Sequence, residues 1–135
     1  MNALRIGIIL MALAALPGCG KHYVEVDHPF YLMDYGESRD RFALFRCLHE
    51  PGHGCSLDKG FGPDVIAAGA NDRFVVMKMR QPSNAAQPTY FYFARIPQET
   101  GGWGQRPEKL IGPLSRGEFQ QRRAALGLPD ANVTP

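Results

Sequence analysis

The chain has 135 residues, 44% of them apolar and 21% charged, a balance that fits a globular protein and excludes a disordered one. Fifteen Lys and Arg against 13 Asp and Glu give a formal charge of +2, too even for the basic stripe of a nucleic-acid binder. Eleven prolines and 15 glycines imply many turns and short elements, which disfavours a helical bundle.

The first residues carry one positive charge, Arg5, ahead of an uncharged apolar run of 11 residues at 6–16. A spanning helix needs about 20 apolar residues, so this run reads as the core of a secretory leader. It ends in Leu16-Pro17-Gly18-Cys19, which resembles the bacterial lipobox: an aliphatic residue, a small one, Gly or Ala, then Cys. The resemblance implies cleavage before Cys19, a diacylglycerol on its thiol and an acyl group on its new amine. Residues 1–18 are then a lipoprotein signal peptide and residues 19–22 a lipidated tether. The mature chain would keep 117 residues and, having lost only Arg5, a charge of +1. A single acyl chain binds a bilayer only marginally, and stable anchoring takes a second signal. Three chains exceed that threshold. Gly20 stands where an Asp would resemble an inner-membrane retention signal, so the expected address is the outer membrane, facing the periplasm.

Residues 29–35 are rich in aromatics and end at Gly36, which suits a first strand. Residues 36–40 form its turn and residues 41–47 a second strand. With Cys19 acylated, Cys47 and Cys55 remain as an even pair in a compartment that favours disulfides. Pro51-Gly52 between them is a turn signal that can bring their Cα atoms within the roughly 4.4–6.8 Å a disulfide needs. The same segment offers Cys47, His49, His53 and Cys55, the ligand types of a tetrahedral zinc site. That spacing is tight and an oxidising compartment competes for the thiols. The disulfide is the expectation and zinc the alternative.

A Gly-rich connection at 52–62 leads to a hairpin over 64–80, whose turn is Asn71-Asp72. Tyr90-Phe91-Tyr92-Phe93 makes the next strand, with phenylalanines inward and tyrosines free to meet water or a partner. Residues 98–107 are a turn that carries Trp103, and residues 108–111 a short final strand. Ser115 and Glu118 fit a capping box, and Leu114 and Phe119 a hydrophobic staple. The helix ends at Leu126, with Gly127 at C′ and Pro129 barring continuation. These elements predict an α+β, mostly β fold: a small antiparallel sheet of about five to six strands with one short C-terminal helix. A single domain would span residues 23–130, ahead of a flexible tail at 131–135.

The stretch from Tyr90-Phe91-Tyr92-Phe93 through Gly112-Pro113-Leu114-Ser115-Arg116-Gly117-Glu118-Phe119 to Leu126-Gly127 resembles small bacterial envelope lipoproteins of unassigned function. The hairpin residues Ile66-Ala67 and Asp72-Arg73-Phe74-Val75-Val76 also match theirs. The likeness covers roughly the C-terminal half and implies a fold and an address, not an activity.

Reaction chemistry finds little support. Gly36-Glu37-Ser38-Arg39-Asp40 lacks the final glycine of a nucleophile elbow. Asp27 and His28, adjacent on a strand, would point to opposite faces. Gly101-Gly102-Trp103-Gly104 lacks the helix that follows a phosphate loop. No catalytic residue, metal or cofactor is expected. Tyr90, Tyr92 and Trp103 are the expected binding surface, since aromatics dominate interface hot spots. The expected function is therefore a membrane-anchored, non-enzymatic protein-binding module. One concrete form is an immunity-type lipoprotein that neutralises a secreted effector. Its partners would be the membrane, through the acyl chains, and an envelope or effector protein, with no nucleic acid. The alternative is a small periplasmic hydrolase or ligand carrier.

Overall fold

The computed structural model describes residues 22–34, 41–47, 49, 55–57, 64–81, 87–95 and 109–135. Within them run strands β1 (Tyr23–Asp27), β2 (Phe30–Asp34), β3 (Phe42–Cys47), β4 (Cys55–Leu57), β5 (Val65–Ala70), β6 (Phe74–Met79), β7 (Thr89–Ala94) and β8 (Ile111–Leu114). Helix α1 (Arg116–Leu126) follows. Strands β1 to β4 form one antiparallel meander and β5 to β8 a second.

The fold class is α+β and mostly β, with one short C-terminal helix. The described strands number eight and divide between two sheets, where the patterning suggests one sheet of five or six. Two of the extra strands have weak signals. In β1, Tyr23-Val24-Glu25-Val26-Asp27 alternates with period two, yet only its two valines are strongly apolar. Only three residues make up β4, which is held by its register on β3: Phe45 opposite Leu57, Arg46 opposite Ser56, Cys47 opposite Cys55.

Alternation along the strands sorts side chains into layers. Phe30, Leu32 and Leu44 from the first sheet meet Val65, Ala68, Val75, Met77 and Phe93 from the second in one buried cluster. Phe93 sits edge-on to Phe30, ring centroids 5.6 Å apart. The opposite face of the second sheet presents Val76, Tyr90 and Tyr92, covered by Phe119 of α1 and by Leu128. The opposite face of the first sheet gathers Tyr31, Met33 and Cys47. Strand β2 is therefore buried on both faces.

Helix α1 begins as its sequence dictates. Ser115 Oγ accepts the Glu118 amide at 3.2 Å, and Glu118 Oε2 accepts the Ser115 amide at 2.7 Å. Leu114 and Phe119 flank this cap in one apolar cluster. Gly127 takes the left-handed conformation at φ 71° and returns its amide to Arg123 O at 2.9 Å. The Asn71 side-chain amide donates to Gly127 O at 2.9 Å, while Asn71 Oδ1 accepts the Arg73 and Phe74 amides. One side chain thus orders the β5–β6 turn and ties it to the end of the helix.

Two boundaries differ from the sequence expectation. The last strand lies at Ile111–Leu114 rather than 108–111, so Gly112 and Pro113 belong to the strand. Gly112 is required there: its φ is 142°, and a Cβ would stand 2.6 Å from the Phe91 ring. A proline survives in β8 because this is an edge strand, where a missing amide donor need not break a ladder. The second difference lies in residues 131–135, expected as a flexible tail, where Val133 is paired with β5. Ala68 and Val133 exchange two backbone hydrogen bonds of 2.9 Å. Gly69 makes this approach possible, since a Cβ there would lie 1.8 Å from Asp130 O.

Candidate binding surface

Tyr90 and Tyr92 are not surface residues. They share a face of β7, as alternation requires, but that face is the floor beneath α1. Tyr90 is 8% exposed and Tyr92 is 2% exposed. Tyr90 stacks on Phe119 with ring centroids 4.5 Å apart and planes at 7°. Tyr92 meets Phe74 edge-on at 6.1 Å. The expectation that they form a binding surface is corrected for a physical reason. The helix is itself apolar along Phe119 and Leu126 and must bury that stripe, and the tyrosine face is the apolar surface beside it. Phe93 is fully buried on the opposite face, and Phe91 packs partly buried against the same core. Trp103, the third residue of the expected surface, lies outside the described residues, as do Cys19, Ser38 and His53.

Cys47 and Cys55 face each other across β3 and β4 and are joined as a disulfide, with Cα atoms 4.0 Å apart. The backbone explains the match. The Cys47 amide donates to Pro29 O at 2.7 Å, towards β2, so the pair with Cys55 is a non-hydrogen-bonded one. Such pairs hold their side chains closest. Cys47 is fully buried, and its sulfur lies 3.9 Å from Met33 Sδ. His49 is exposed. No group of three or more His, Cys, Asp or Glu side chains gathers for a metal among the described residues.

The polar side chains converge instead at the β1–β2 turn. Arg95, just after β7, reaches across to the first sheet. Its Nη1 donates to Asp27 Oδ2 and to Asn71 O, and its Nη2 donates to His28 O at 2.8 Å. Its guanidinium also lies over the Phe30 ring, 5.5 Å from the centroid. Asp27 ends β1, whereas His28, expected on the same strand, lies in the turn that follows. Asp27 takes the arginine, while His28 Nδ1 lies 3.4 Å from Tyr31 Oη. Burial pushes the Tyr31 phenol above its ordinary value, and the Glu25 charge beside it adds to the shift. An acid, an imidazole, a phenol and a guanidinium are close here, but the arginine joins the two sheets and the phenol is held neutral. A shallow groove beside the end of α1 is lined by Gln120, Arg123, Ala124, Gly127 and Leu128, and Arg123 there is bonded to Asp130 at 2.7 Å.

No family model matches the chain, and neither a curated protein nor a solved structure matches it.

Sequence reasoning missed Arg95 and His22. Arg95 acts on residues 68, 67 and 24 positions away, and no local pattern marks such a pairing. The sequence places His22 in the tether, yet its carbonyl accepts the Asp34 amide at 3.3 Å, so the backbone pairing of the first sheet reaches back to it. The alternation of β1, extended back by one residue, is the signal that could have found it.

Proposed function

We propose that this chain is a membrane-anchored bacterial lipoprotein whose domain serves as a non-enzymatic protein-binding module in the cell envelope. The observation that carries the anchor is the short apolar run at 6–16 ending in Leu16-Pro17-Gly18-Cys19. The expected resemblance of residues 90–127 to small envelope lipoproteins is in keeping with an envelope address, and Gly20 after Cys19 favours the outer membrane facing the periplasm. A Cys47–Cys55 disulfide suits that compartment. Support for binding over catalysis comes from the polar groups already named. Asp27 and Arg95 are paired with each other, His28 neighbours Tyr31, and Arg123 is paired with Asp130. In its concrete form the module is an immunity-type protein that meets an incoming effector at the membrane.

Metabolic labelling with an alkyne fatty acid tests the anchor. Wild-type protein should be labelled and Cys19→Ser protein should not; equal labelling of both would overturn it. Co-expression tests the module. Cells that produce a periplasm-directed effector encoded beside this gene should grow when the lipoprotein is present and arrest when it is absent. Turnover of an ester, glycan or peptide, abolished by His28→Ala, would replace this reading with a hydrolase.

A further inference from the structure

The polar contacts of the fold sort themselves between two ends of the molecule. At one end, His22 O accepts the Asp34 amide, and β1 starts at Tyr23. Arg41 donates to both Asp64 carboxylate oxygens at 3.1 Å, beside the first residue of β3. The Arg80 amide donates to Asp64 O at 2.9 Å, which brings the end of β6 to the same place. At the other end lie the Asp27–His28 turn, Arg95, the Asn71 turn and Gly127, all linked by the bonds already described.

We propose that the first of these ends rests on the bilayer, with Tyr23 in the boundary between headgroups and acyl chains and the Asp27–His28 end facing away. This orientation rests on acylation of Cys19. The backbone is pinned at His22, so only two residues separate the lipid-bearing cysteine from the folded sheet. Three residue steps span at most about 11 Å. Strand β1 alone runs about 13 Å from Tyr23 to Asp27 at the usual rise per residue. The tether is therefore shorter than the strand it precedes, and the start of β1 is the part of the domain held nearest the lipid.

The chemistry of that end fits a lipid surface. Among the described residues, Tyr23 is the one large apolar side chain left exposed, at 50%. Its ring is braced edge-on against Tyr31, centroids 6.3 Å apart, so it is presented rather than folded away. Tyrosine favours the membrane interface, where the ring meets acyl chains and the hydroxyl meets water. Exposed Arg80 lies at the same end, where Arg41 and Asp64 neutralise each other and Asp34 adds one negative charge, so its charges are balanced and do not oppose contact with a bilayer.

The test uses the full mature protein, acylated in cells and reconstituted into vesicles of phosphatidylcholine and phosphatidylglycerol with or without dibrominated acyl chains. In a Trp103→Phe background, one variant carries Tyr23→Trp and another Asp72→Trp, at the opposite end. The indole at position 23 should show blue-shifted emission and lose intensity with brominated lipid, while the indole at position 72 should do neither. If circular dichroism shows that Tyr23→Trp does not fold, His22→Trp takes its place. Equal quenching at both positions, or none at position 23 in protein whose mass shows acyl chains, overturns the orientation alone. A mass without acyl chains overturns the anchor and the orientation together.

Discussion

Glu118 shows how one side chain can make a helix start depend on pH. Its carboxylate accepts the Ser115 backbone amide, and its own amide donates to Ser115 Oγ. The Ser115 backbone bond, ahead of the side-chain bond, holds the Glu118 carboxyl below its ordinary value. A group whose folded-state value is depressed stabilises the fold while ionised and loses that effect as it gains a proton. The contribution is therefore present above about pH 4.3 and disappears as the pH falls through the lower folded value. Urea denaturation between pH 6 and pH 3 should show this component in wild-type protein and not in Glu118→Gln. Ser115→Ala at neutral pH should cost about 0.5–2 kcal/mol. Superimposable pH profiles for wild type and Glu118→Gln would mean that the carboxylate does not hold the cap.

Between elements, the contact that local sequence conceals most is the crossing of the C-terminal segment over β5. Nothing in Asp130-Ala131-Asn132-Val133 announces a β-bridge, and its polar, proline-flanked composition reads as a fraying end. What decides the matter lies some sixty residues earlier, where Gly69 leaves room for the Asp130 carbonyl. Gly69→Ala should force the two backbones apart and release the Ala68–Val133 hydrogen bonds, worth about 0.5–1.5 kcal/mol each. Hydrogen exchange should then quicken at the Ala68 and Val133 amides, and the urea midpoint should fall. Unchanged protection at both amides would show that the segment is held some other way. The same contrast explains what the sequence made legible. The capping box, the β5–β6 hairpin and the Arg41–Cys47 stretch depend on residues within a few positions of each other. Strand β4 is too short, at three residues, to show a pattern, and the bridge at Val133 and the Arg95 contacts depend on partners far along the chain. The aromatic strand falls between these cases. Alternation assigned Tyr90 and Tyr92 to one face correctly, but only the docking of α1 reveals that this face is inside.

At the scale of the whole molecule, two meanders are made one body by a core to which both contribute. Phe93 stands at their junction, fully buried and edge-on to Phe30. Phe93→Ala should cost about 3–5 kcal/mol. Circular dichroism and tyrosine fluorescence should still report a single coincident transition, because opening the shared cluster exposes the inner face of both sheets at once. Separate transitions would mean that the sheets fold independently. The arrangement also bears on crowding. An open strand edge displays amides and carbonyls that a neighbouring chain can extend into a shared sheet. In the second sheet, β8 forms one edge and contains Pro113, which has no amide to offer, while Val133 occupies the middle of the β5 edge. If the domain is held on a membrane as proposed, molecules side by side in that plane would meet these two edges repeatedly, and neither offers a continuous template for a foreign strand.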